Sequence, residues 1–167
     1  MPFLIHKMIG AMASILLAST GVMAQSGNAP TGPAAGEFAS AKEVRAQIAA
    51  MEAEMKPGQG FAWRPLVRDG ARVAAIEIWK KPGRPAVHQA EAEYAIVLEG
   101  AGTLISGGTL LAPVTRRADL IEGDRIEGGT TRPLGPGDVV LLPAGMPHWF
   151  GITGDRLVLL GTKLPAR

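Results

Sequence analysis

Cysteine is absent from the chain, which excludes disulfides, thiolate metal ligands and a thiol nucleophile. No Gly-x-Ser-x-Gly elbow is present either, so a serine nucleophile of that type is excluded too. Histidine is scarce, and His6, His88 and His148 are the only three. Aromatic residues are few and do not interleave with runs of Lys and Arg, which argues against a nucleic-acid partner. Neither sign of charge dominates: 17 basic residues stand against 15 acidic ones, so the basic pI reflects a small imbalance and not a basic face. No apolar run reaches the roughly 20 residues that a bilayer span requires. There is no internal repeat.

A short apolar run does occur at residues 8–18, preceded by the polar and basic His6 and Lys7. Val22-Met23-Ala24 follows, with small residues at the two positions a signal peptidase reads. The pattern predicts a signal peptide over 1–24, cleavage before Gln25, and a periplasmic or secreted protein without a stable membrane span after cleavage. Residues 25–37 are rich in Gly, Pro and Ala and read as a flexible linker. The remainder, 38–167, is one domain's worth of chain, long enough to bury a core without disulfide staples.

One helix is expected, on the amino-terminal side. Ser40 and Glu43 form a capping-box pattern. Val44, Ile48, Met51 and Met55 then recur at helical spacing, and Lys56-Pro57-Gly58 stops the helix. Its apolar stripe is expected to pack on the domain. Beyond Gly60 the texture changes to short apolar runs broken by Gly and Pro, at 61–67, 72–79, 94–98, 103–106, 139–142, 149–152 and 157–161. Such spacing predicts an all-β sandwich or barrel. The polar stretch 101–136 is long for a connection. It reads as a solvated loop, as hidden strands, or as a lid or rim whose arginines contact an anionic ligand.

The chemistry concentrates in two local patterns. In the first, His88 and Glu93 are five residues apart, an odd separation that puts them on opposite faces of any straight strand. They converge only if the chain turns at 89–92, with Glu93 opening the next strand. Glu91 is the alternative carboxylate. In the second, His148 follows the turn Pro143-Ala144-Gly145-Met146-Pro147, which aims the next strand. On that strand Phe150 shares the face of His148, while Trp149 points away. Two neutral imidazoles and one carboxylate, His88, His148 and Glu93, bind a divalent ion on one side and leave other positions open.

These two patterns resemble the cupin superfamily. Gly137, Pro143, Gly145 and His148 match its second motif at every spacing. His88, Glu93 and Gly100 match the tail of the first, with Gly83 near the expected upstream glycine. The resemblance covers about residues 64–163. It extends to a group of exported bacterial single-domain cupins without an assigned substrate, through Gly107-Gly108, Ile126 to Gly129, and the Pro-His-Trp-Phe sequence ending at Phe150. It implies an all-β cupin-type double-stranded β-helix, a jelly-roll barrel, with one metal site at its centre. Two departures stand out. Ala86 occupies the place of a further histidine, and Ile152 that of a closing asparagine. Three of the four usual ligands remain, a set that suits iron or manganese, with zinc also possible.

The resemblance implies a metal-binding cupin, read as a metal-dependent enzyme of oxygenase, isomerase or decarboxylase type acting on a small molecule. A non-catalytic periplasmic module that binds a small ligand or a metal is the second reading, and a structural subunit the third. No catalytic residue beyond the ligand set is marked by the sequence. A homodimer is expected, because edge-strand pairing covers exposed backbone groups.

Overall fold

The computed structural model describes residues 37–166; the expected signal segment 1–24 and all but the last residue of the linker 25–37 lie outside the described residues. The helix α1 (Ala41–Glu54) starts where the capping box places it. The Ser40 hydroxyl accepts from the Glu43 backbone N–H, and the Glu43 carboxylate accepts from the Ser40 N–H at 2.7 Å. One face of α1 buries Ile48 and Met51 against Ile76, Ile78 and Val158, with Val44 and Met55 at the margin. The helix thus closes the outside of a sheet, as its apolar stripe requires.

Eleven strands follow: β1 (Phe61–Asp69), β2 (Arg72–Trp79), β3 (Ala86–His88), β4 (Glu91–Ser106), β5 (Thr109–Leu111), β6 (Val114–Arg117), β7 (Leu120–Glu122), β8 (Arg125–Glu127), β9 (Thr130–Leu134), β10 (Val139–Leu142) and β11 (His148–Pro165). Nine form one continuous antiparallel sheet, and β5 with β8 form a separate ribbon. Two long strands, β4 and β11, organise the rest. The first half of β4 and the last half of β11 pair with each other, with β10 and β2 beside them and β1 beyond. The other halves also pair, flanked by β9 and by β3, β7 and β6. The two halves face each other, since one buried cluster joins Ala95, Val97, Leu142 and Leu159 of the first to Leu104, Leu134 and Phe150 of the second.

Facing halves require both long strands to change phase. In β4 the buried positions are Glu93, Ala95 and Val97, then Gly102 and Leu104. The switch falls at Gly100, whose φ is +81° and where a Cβ would lie 2.0 Å from the Arg156 carbonyl oxygen. In β11 the register skips between Ile152 and Leu157, and the inward side passes from His148 and Phe150 to Leu157 and Leu159. A period of two, interrupted by register shifts at Ile152/Leu157 and Val158/Leu159, keeps apolar residues inside on both halves.

The stretch 101–136 is strands and turns, not a free loop. It holds the end of β4 and all of β5 to β9. These strands are too short and too polar to show a period of two, which hides them from a hydrophobic pattern. Two of its arginines are paired locally, Arg116 with Glu122 at 2.9 Å and Arg125 with Glu127 at 2.7 Å.

Packing of α1 on the sheet sets one expectation. Ile78→Ala should cost about 2–5 kcal/mol, since the side chain is wholly buried. Ser40→Ala should cost about 1 kcal/mol through loss of the cap. Urea unfolding followed by circular dichroism reads both.

Candidate metal centre

His88, Glu93 and His148 come together between the two facing halves, near one end of the barrel. His88 ends β3. The chain bends at Gln89 and Ala90 and re-enters a strand at Glu91, so the turn is shorter than the four residues expected and Glu93 is the third residue of β4. His148 opens β11. The turn before it is tied to the first pattern directly, for the Gly145 N–H donates to the His88 carbonyl at 2.7 Å. Gly145 makes that approach with φ at +80°, a conformation open to glycine.

All three side chains converge on one atom. The Glu93 Oε2 lies 3.2 Å from His148 Nε2 and 3.7 Å from His88 Nε2. Only 9% of the Glu93 side chain, 6% of His148 and 11% of His88 is exposed. The outer nitrogen of each imidazole is already engaged. His148 Nδ1–H donates to the Met146 carbonyl at 3.0 Å, and His88 Nδ1 faces Asp119 Oδ2 at 3.3 Å. Those partners leave both Nε2 atoms facing the carboxylate. Two nitrogens and one oxygen thus meet at one point, a donor set that could hold an ion. With ligand bonds of about 2.0–2.2 Å, donors around one ion stand roughly 3–3.5 Å apart. The candidate ligand atoms lie within 4.8 Å of one another, so small side-chain shifts would bring them around one ion.

Sequence reasoning missed three residues here. Asp119 sits in the β6–β7 turn, accepts from the Ala90 N–H at 2.6 Å and orients His88. That backbone bond and the nearby His88 hold its carboxyl below the ordinary range. Lys163 stands directly opposite Glu93 in the β4–β11 ladder, and its ammonium donates to the same Glu93 Oε2. Glu77 on β2 also faces inward, accepting from the Trp79 indole N–H at 3.0 Å. Only the registers of β2 and β11 bring these last two to the site, and no motif marks them.

Glu91, the alternative to Glu93, forms a second possible group with His88 and Asp119. That group uses the outer side of His88, is more exposed, and shares no atom with His148. His88, Glu93 and His148 form the buried set. Ala86, the place of the missing histidine, is paired with His148 across β3 and β11 and therefore shares its face. Phe150 lies on the His148 side as expected, edge-on to the imidazole with ring centres 6.0 Å apart. Trp149 points away and donates to the Gly83 carbonyl at 2.9 Å.

The electrostatics follow from burial and neighbours. Burial pushes the Glu93 carboxyl up, but the His148 hydrogen bond and the Lys163 ammonium outweigh it and hold it at about 2. Burial lowers His88, helped by the charge of Lys163, against the pull of Glu93. Glu77 goes the other way. Burial and then the Glu93 charge raise it to about 7, against the Trp79 bond and Lys163. Beside these groups a cavity of about 340 Å³ opens, lined by Trp63, Arg72, Glu77, Glu91, Glu93 and Lys163 among others.

No protein-family model and no curated protein matches the chain. Solved structures do resemble it. One is a predicted oxalate decarboxylase from Thermotoga maritima, 18% identical, with 64% of this chain and 81% of that one aligned at a TM-score of 0.47. Another is KdgF from Halomonas sp., 19% identical over 68% and 87% of the two chains at 0.46. A third is a cupin superfamily protein from Desulfitobacterium hafniense, 16% identical over 68% and 84% at 0.45. These likenesses are remote. What decides the matter is internal: two facing antiparallel halves share two long strands, and the turns at Gly137–Gly145 and 89–90 deliver His148, His88 and Glu93 to one point. The chain folds as a jelly-roll barrel of two facing antiparallel halves. In this barrel Lys163 joins His88, Glu93 and His148 at the centre.

A proton on half-buried Glu77 has a consequence for stability. Its folded value, about 7, exceeds the ordinary 4.5, so the unfolded chain loses its proton first. Stability should therefore fall as pH rises from about 4.5 to 7, the window in which the folded state binds more protons. Glu77→Gln should flatten that fall. Thermal melting across this range reads the difference, and parallel profiles for both proteins would refute the assignment.

Proposed function

We propose that this protein is a cupin and a metal-dependent enzyme acting on a small molecule, with His88, Glu93 and His148 as the ligands of one divalent ion. The observation that carries the reading is the approach of His148 Nε2 and His88 Nε2 to Glu93 Oε2, at 3.2 and 3.7 Å, with both Nδ1 atoms committed elsewhere. Three protein ligands on one side leave open positions, and an ion there supplies a Lewis acid for a chelating oxygen group. Iron or manganese suits this donor set best, with zinc as the alternative. A cavity of about 340 Å³, of a size for a small molecule, opens on the Glu93 and Lys163 side of the centre and is lined by neither imidazole. An oxygenase, an isomerase and a decarboxylase are all compatible with such a centre. The proposal includes export, supported by the 1–24 pattern, and a homodimer, supported by the largely exposed Val139 and Leu141 on edge strand β10.

Protein purified without chelator should carry about one first-row divalent ion per chain. His148→Ala should remove most of it, leaving one imidazole and one carboxylate. Ala86→His should tighten binding, because it adds a donor on the face of His148. Metal analysis after dialysis reads all three. Affinity should weaken on acidification, since each imidazole must be neutral to donate. Burial lowers His88, so its share of the loss falls below the ordinary 6.5. Unchanged metal content in both His88→Ala and His148→Ala would hand the site to a non-catalytic binding role. Turnover on a panel of small acids and phenols separates enzyme from binding module.

Asp119→Asn keeps the shape of the side chain but removes the charge that orients His88. Loss of such a partner typically costs about 10- to 100-fold in metal affinity. A calorimetric titration should show that loss with no change in overall fold.

A further inference from the structure

We infer that Lys163 is a built-in cation that competes with the metal for Glu93, so that metal binding displaces its ammonium from the centre. This rests on the metal-centre reading above and adds a residue that regulates occupancy.

The argument starts from a single oxygen. His88 Nε2, His148 Nε2 and the Lys163 ammonium all address Glu93 Oε2, not different atoms of the group. The position a metal would share with that oxygen therefore already has a positive charge against it. A divalent ion and an ammonium on one carboxylate oxygen repel each other, in a pocket where water screens little. The two occupants exclude each other to the extent that Glu93 favours one.

The placement of Lys163 is set by the backbone. It is the direct partner of Glu93 across β11 and β4, so an ion pair forms as soon as the ladder does. The head group nevertheless has somewhere to go. The side chain is 32% exposed, and it lines the cavity of about 340 Å³ that Glu77 and Glu91 also line. Both of those carboxyl groups feel its charge. A displaced ammonium thus stays among acidic groups instead of being stranded against apolar walls. Lysine suits this role through its flexible four-carbon stem and compact charge. A permanent structural pair would sit better buried on both sides, with no adjoining space.

The test is a calorimetric titration of Mn²⁺ into metal-stripped wild-type protein, Lys163→Met and Lys163→Arg. Lys163→Met keeps most of the stem and removes the charge. It should bind Mn²⁺ about ten- to a hundredfold more tightly, the equivalent of losing one charged hydrogen bond from the metal-free state. Lys163→Arg retains the charge and should stay within about threefold of wild type. Should Lys163→Met fail to fold by circular dichroism, Lys163→Gln takes its place with the same expectation. Equal or weaker binding by the neutral variant, with wild type binding, overturns the role of Lys163 and leaves the metal centre standing. Absence of binding in every protein removes the metal centre itself, and this inference with it.

Discussion

A carboxylate held out of water between two imidazoles must have a cation beside it. Glu93 is in that position, with less than a tenth of its side chain exposed. Desolvating a charge costs several kcal/mol unless paired donors compensate for it. The nitrogens of His148 and Lys163 provide that compensation in the structure as it stands. Much of the barrel can be understood as the scaffold that keeps those groups on one oxygen. The shared pair of long strands carries Glu93 and Lys163 on one half and His148 on the other. The hydrogen bond from Gly145 to the His88 carbonyl then fixes the distance between the two turns.

The scaffold has to reconcile two periodicities. Strands alternate strictly, yet a barrel closed from two long strands needs each of them to show the same face twice in different directions. The irregularities at Gly100 and between Ile152 and Leu157 resolve that conflict. They sit side by side, with Leu157 paired to Gly100. Each therefore accommodates the other, and the carbonyl of Arg156 fills the space that a Cβ at Gly100 would need.

Much of this was legible in the chain. The capping box located the start of α1 to the residue, and the runs at 72–79 and 139–142 coincide with β2 and β10. The turn glycines and prolines marked the bends that deliver His88, Glu93 and His148. Two pairs of expected strands proved to be single long ones, β4 and β11, because Gly100 and the polar stretch 153–156 look like breaks while the ladder continues around them. Asp119, Lys163 and Glu77 stayed hidden for a different reason. Their meaning lies in cross-strand register and in a turn 31 residues from His88, and neither leaves a local pattern. An acidic residue in a polar stretch and a lysine near a carboxyl terminus look like ordinary solvated surface.

Asp119 sits at the rim of the sheet. It belongs to the β6–β7 turn, and β6 is the outermost strand on that side, with β7 as its sole strand neighbour in the sheet. Edge elements with polar, exposed side chains open by local fluctuation far more often than a core unfolds. All four residues of β6 are exposed. Each such opening would release the grip on His88 while leaving Glu93 and His148 in place, since those two are anchored in the central ladder. Escape of a bound ion would then be timed by fraying of one peripheral hairpin, and the lifetime of the loaded centre would be a property of the margin of the barrel, not of its core.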